Sequence, residues 1–234
     1  MSKINILLTL LSLNAVLVTV ERFSPTTKIL LQPYSFLRLH EVFQMSVVIF
    51  ASILISFLLL KVISNNFETI KDFKGTLYAL LFITGVYFLA TGNGLHEVAS
   101  FLFNTFCDTK HVAHGACGSM FFNDYYFGNI LYFIGLLVSN FALVLLEIKK
   151  PNKFSDKKNV TITIINSLVF ALTLFAYDAF DRVLVGLIFT AIAAILTDIL
   201  LFTAKRNYRQ LPFTVYCALA YSTATIASIL IRFR

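Results

Sequence analysis

The chain predicts an all-α polytopic membrane protein, a bundle of seven transmembrane helices, and three observations carry that expectation. Apolar residues make up 58% of it, aromatic residues 15% and charged residues only 13%, far from the composition of a soluble domain. Seven apolar runs follow one another, each close to the roughly 18 residues that cross about 30 Å of hydrocarbon. The segments between them are short and polar, and they carry lysine and arginine unevenly.

The first run covers 4–20 and the second 42–60; the third spans 76–106, the fourth 127–146, the fifth 160–177, the sixth 183–202 and the seventh 211–231. Lys3 ahead of an apolar stretch also resembles a secretory signal, but no small-x-small cleavage site precedes Glu21, so an uncleaved helix is expected. Only the segments 21–40 and 105–125 are long enough to hold structure between helices. The whole of 1–234 therefore reads as one integral-membrane helical domain.

Orientation follows from the basic residues, because cytoplasmic loops carry an excess of them. Lys61, Lys71 and Lys74 follow the second helix, Lys149, Lys150, Lys153, Lys157 and Lys158 the fourth, and Lys205, Arg206 and Arg209 the sixth. With Lys3, twelve of the 19 basic residues share one side. The N-terminus is thus predicted cytoplasmic and the C-terminus extracytoplasmic, in a plasma or inner membrane. The net charge of +7 is then a topology signal, and no nucleic-acid partner is needed to explain it.

This topology puts all four histidines, His40, His96, His111 and His114, on the outer side, together with Glu41, Glu97, Asp124, Asp178 and Asp181. Cys107 and Cys117 share an outer loop, where an oxidising compartment would join them in a disulfide around CDTKHVAHGAC. The outer end of the third helix leaves the apolar pattern at GNGLHEVASFLFN. At 100° per residue Asn93, His96, Glu97, Ser100 and Asn104 fall within an arc of about 100°. Ionisable groups at that depth face a bundle interior or a water-filled cavity. Gly92 and Gly94 would let the helix bend or let another backbone approach.

The fourth helix offers a matching stripe, Asp124, Gly128, Tyr132, Gly135 and Ser139, with Asp124 at its outer tip as either N-cap or site residue. The fifth and sixth helices meet at YDAFDR, where Asp178 and Arg182 would pair at i, i+4 while Asp181 caps, or where both acids would complete a cation site. RLHEVF, with His40 and Glu41, reads as the solvated first turn of the second helix. The preceding KILLQPYSFLRL is too short to span and contains Pro33; an interfacial or re-entrant lid is expected there. Asp198, near the inner end of the sixth helix, would reach water or pair with Lys205.

These groups permit two chemistries. His96 and Asp124 with His111, His114, Asp178 or Asp181 offer ligands for zinc or another divalent metal and a hydrolytic water. Without metal, His96 and Glu97 would handle protons, with Asp124 and Ser100 beside them, for a lipid-like or small amphipathic substrate entering from the bilayer. The helix count and the order His96, Ser100, Asp124 resemble the membrane hydrolases that include alkaline ceramidases and adiponectin receptors. That group's paired histidines near the final helix have no counterpart here, the last histidine being His114, so its activity is not carried over. The expected function is an integral-membrane hydrolase acting on a lipid or amphipathic substrate at the extracytoplasmic face, with catalytic candidates His96, Asp124, Glu97 and Ser100. The alternative is a seven-helix receptor, sensor or small-molecule transporter, whose partner would dock on KKPNKFSDKK. The seventh helix has no lysine for a retinal Schiff base.

Overall fold

The computed structural model of the chain describes residues 1–112, 114–152 and 156–234. Among the described residues it is all-helical apart from one isolated antiparallel bridge between Leu30 and Arg38. Seven helices are long and apolar enough to cross a membrane: α1 Lys3–Glu21, α2 Leu39–Ile63, α3 Phe73–Phe106, α4 Ala116–Lys149, α5 Lys157–Asp178, α6 Val185–Thr203 and α7 Pro212–Arg232. That is consistent with an integral multi-pass membrane protein. Lys153, part of the basic loop after the fourth helix, lies outside the described residues.

Caps set the helix ends where the sequence changes character. The side chains of Ser2, Asp72 and Asp156 accept from the backbone N–H groups of Asn5, Gly75 and Asn159, satisfying donors that have no partner within the helix. Asp72 also takes the Lys149 ammonium, which with the Gly75 N–H holds its carboxyl below the usual range. At the start of α7 the cap comes from another helix. Glu147 of α4 is fully buried and accepts from the N–H groups of Phe213 at 3.0 Å and Thr214 at 2.8 Å, as well as from the Thr214 hydroxyl.

The fourth helix corrects the expected boundary, since it begins at Ala116 rather than 127. The polar pair Asn123 and Asp124 ends the apolar run but does not end the helix, because a π-helical turn over Asn123–Gly128 carries it inward. Cys107 and Cys117 are disulfide-bonded, and Phe121 packs on Phe103 and Tyr125. Asp124 therefore sits about two turns inside the helix and is no N-cap.

Packing centres on two groups of helices. α7 contacts α4, α5, α6 and α1, while α3 and α4 form the most extensive pair. Hydrogen bonds between side chains tie the interior: Ser12 to Tyr216 at 2.9 Å, Asn14 to Ser52 at 2.7 Å and Thr163 to Asn5 at 2.9 Å. Such bonds hold helices together where neighbouring lipid would offer no polar partner. Leu80, Leu172, Ile195 and Ile226 point outward and are exposed, as expected of a surface solvated by hydrocarbon. Asp198, expected to reach water or pair with Lys205, accepts from Ser222 of α7 at 2.8 Å.

The α3–α4 contact depends on missing side chains. A Cβ on Gly92 would stand 2.2 Å from the Tyr132 backbone nitrogen, and one on Gly135 would stand 2.2 Å from that of Leu89. The predicted stripe of Gly128, Gly135 and Ser139 thus faces α3. Gly94 has nothing within 4 Å of such a Cβ, so close approach belongs to Gly92 alone of the pair.

Candidate functional site

A cavity of about 300 Å³ lies at the end of the bundle where α1, α3 and α5 finish and α2 starts. His96, Glu97, Ser100, Asp124 and Asp181 line it, so five of the predicted site residues share one space.

His96 is placed by the α3–α4 contact. A Cβ on Gly128 would lie 2.9 Å from the His96 backbone nitrogen, so glycine lets the two backbones close. The π-helical turn, a feature frequent at functional sites, then aims Asp124 at the ring. His96 Nδ1 lies 3.0 Å from Asp124 Oδ1 and 3.0 Å from the Asp124 backbone oxygen. On the other edge, Arg22 Nη2 lies 3.5 Å from Nε2. Carboxylate and carbonyl oxygens only accept and a guanidinium only donates, so Nδ1 carries the hydrogen and Nε2 turns its lone pair to Arg22 at the cavity wall.

His40 corrects the expectation of a solvated first turn: it is buried, as is Glu41. The cause is α1, whose last residue, Glu21, accepts from His40 Nδ1, from Gln44 Nε2 at 3.1 Å and from the Ser24 and Thr26 hydroxyls. His40 Nε2 points toward Glu97, 3.9 Å away. Glu41 closes the start of α2, with Oε2 accepting from the Arg38 backbone N–H at 2.8 Å and Oε1 pairing with the Arg38 guanidinium. Arg38 also lies over the Phe101 ring. The segment expected to form a lid folds as a bridged loop, with Leu31 donating to Leu37 and Leu39 to Ile29, and its Arg38 lines the cavity with Thr27 just ahead of it.

The turn after α5 divides its two acids. Asp181 lines the cavity, whereas Asp178 is buried beside Gly186 and does not reach it. The expected Asp178–Arg182 pair is absent among the described residues. Arg182 instead lies over the Phe121 and Tyr125 rings and donates to the Thr109 carbonyl. Arg232 closes the turn by donating to the carbonyls of Asp178, Asp181 and Val183.

Burial lifts the Asp181 carboxyl above the usual range, against the Arg182 N–H, Tyr177, His96 and Arg232, which lower it. The folded protein then keeps a proton that the unfolded chain has released, so its stability falls as pH rises from about 4 through the raised value. Asp181→Asn should flatten that fall relative to the parent in thermal unfolding between about pH 4 and neutral. Parallel curves for the two proteins would contradict it.

The predicted metal ligands do not converge. His111 is exposed and pairs with Asp108 at 3.1 Å within the same loop, and His114 is exposed. The Lys110 N–H and His111 hold Asp108 below the usual carboxylate range. Among the described residues no group of three or more His, Cys, Asp or Glu is arranged to hold a metal ion. His96 itself has Nδ1 on Asp124 and Nε2 3.5 Å from the Arg22 guanidinium. Ser100 lines the cavity with its hydroxyl accepting from Asn104 at 3.2 Å.

Arg22, Glu21 and Tyr177 are the site's neighbours that the sequence did not single out. Glu21 and Arg22 end an apolar run, where a charged pair reads as the membrane boundary. No protein-family model matches the chain, and neither a curated protein nor a solved structure does.

Proposed function

We propose that the chain is a multi-pass membrane hydrolase that cleaves an ester or amide bond of a lipid or small amphipathic substrate in this cavity. The observation that carries the reading is the Asp124–His96 dyad, whose Nε2 lies beside Arg22 on the wall of a space large enough for a scissile group and a water. His96 Nε2 takes a proton as the water oxygen bonds to the carbonyl carbon, and Asp124 stabilises the resulting imidazolium. Arg22, beside Nε2, donates to the oxygen on which negative charge develops. A receptor or transporter would need a pocket but no converging acid–base groups. Two imidazoles and the carboxylates of Glu41, Glu97, Asp124 and Asp181 around one cavity favour chemistry.

The bias of lysine and arginine supports a cytoplasmic N-terminus and an extracytoplasmic C-terminus, with the cavity on the extracytoplasmic face of a plasma or inner membrane. A substrate embedded in the bilayer would meet it at the head-group level. The full chain in mixed micelles should release fatty acid from phosphatidylcholine or ceramide, or nitrophenol from p-nitrophenyl octanoate. Absence of turnover on all three would overturn the reading.

A further inference from the structure

We propose that His40 is the general acid of the same reaction, protonating the leaving group while His96 serves as base. The assignment rests on the hydrolase reading and deepens it. Two carboxylate–imidazole dyads bring their rings to the cavity, Asp124–His96 from α4 and α3 and Glu21–His40 from α1 and α2. In each, Nδ1 is on the carboxylate. They differ at Nε2: that of His96 faces the Arg22 guanidinium at 3.5 Å, whereas that of His40 faces the Glu97 carboxylate at 3.9 Å. A donor opposite Nε2 leaves it a lone pair; an acceptor opposite Nε2 orients a hydrogen there. Two imidazoles with opposite partners around one space are the arrangement that paired acid–base catalysis needs.

The structure around His40 fits this task better than a packing role. Carboxylates stand at both ring nitrogens, Glu21 from α1 at Nδ1 and Glu97 from α3 3.9 Å from Nε2. Glu21 is held in turn by Ser24, Thr26 and Gln44, so the ring cannot swing freely. Glu97 is 3% exposed and lines the cavity, yet among the described residues the nearest partner of its carboxylate is His40, beyond hydrogen-bond length.

Water loses a proton to His96 Nε2 while its oxygen bonds to the carbonyl carbon. The bond from that carbon to the leaving oxygen then breaks, and this oxygen takes the hydrogen from His40 Nε2. The products are a carboxylic acid and an alcohol. One proton returned from His96 to His40 restores both rings, and Glu97, next to His96 in the chain and facing His40, stands on that path.

Leaving-group chemistry tests the assignment. Nitrophenolate departs without protonation and an alkoxide does not, so His40→Gln should slow ethyl octanoate hydrolysis about 100-fold and p-nitrophenyl octanoate hydrolysis less than about 5-fold. Equal effects on the two esters, or none, would overturn the role of His40 while leaving the hydrolase reading intact. A parent protein that turns over neither ester, nor phosphatidylcholine, nor ceramide overturns both. If His40→Gln does not fold, a series of octanoate esters on the parent decides: rates nearly independent of leaving-group basicity support the acid, and a steep fall with basicity overturns it.

Discussion

His96→Ala should lower kcat/KM for p-nitrophenyl octanoate by about 10³-fold, some 4 kcal/mol of transition-state stabilisation, and leave the fold intact. The ring is partly exposed to the cavity, with 16% of its side chain accessible, so its removal opens space next to a void instead of creating one in the core. Asp124→Asn should cost a similar factor through a different route. An amide can turn its NH₂ toward Nδ1, which then keeps a lone pair, moves the hydrogen to Nε2 and deprives the cavity of its base. Because the two residues act as one unit, the double variant should be no slower than the slower single variant. Additive losses in that cycle, or a His96→Ala protein of parental activity, would remove His96 and Asp124 from the chemistry.

That prediction rests on a pairing the sequence made visible, and the reason is geometric. His96, Glu97 and Ser100 share one helical face of α3, and Asp124 heads the glycine stripe of α4, so two periodicities sufficed to set them opposite each other. The seven helices were legible for a similar reason, since length and hydropathy alone decide what can span hydrocarbon. The start of α4 was not, because the polar pair Asn123–Asp124 ends the apolar run while the helix continues through it as a π-helical turn, with Asp124 buried beside His96 of α3. The second dyad was hidden as well. Glu21 and His40 lie 19 residues apart across a loop, with no shared periodicity, and each looks like an ordinary charged residue at a membrane boundary. The two acids of YDAFDR show the limit of reading a turn: adjacent in level along the bundle, they separate by facing, Asp181 to the cavity and Asp178 to α6 beside Gly186.

The α3–α4 seam should be the most sensitive part of the fold, and Gly135→Ala should destabilise the protein by roughly 3 kcal/mol. The added methyl would lie 2.2 Å from the Leu89 nitrogen, 2.6 Å from the Leu89 Cα and 2.6 Å from the Gly85 oxygen. All three are backbone atoms, so no side chain can rotate aside and the helices themselves must part. Parting also loses the dispersion contacts of the seam, which hold helices together where lipid gives no hydrophobic drive between them. Gly94→Ala on the same helix is the control. With nothing within 4 Å of its Cβ, it should gain up to about 1 kcal/mol from helix propensity. Gly92→Ala adds a functional readout, since its methyl would stand 2.2 Å from the Tyr132 nitrogen, two turns beyond Asp124. Moving α4 there draws Asp124 from His96, so activity should fall further than the loss of folded protein explains. Unfolding titrations with SDS in mixed micelles measure the first two effects. A Gly135→Ala protein as stable as the parent would show that the helices are not held at this distance.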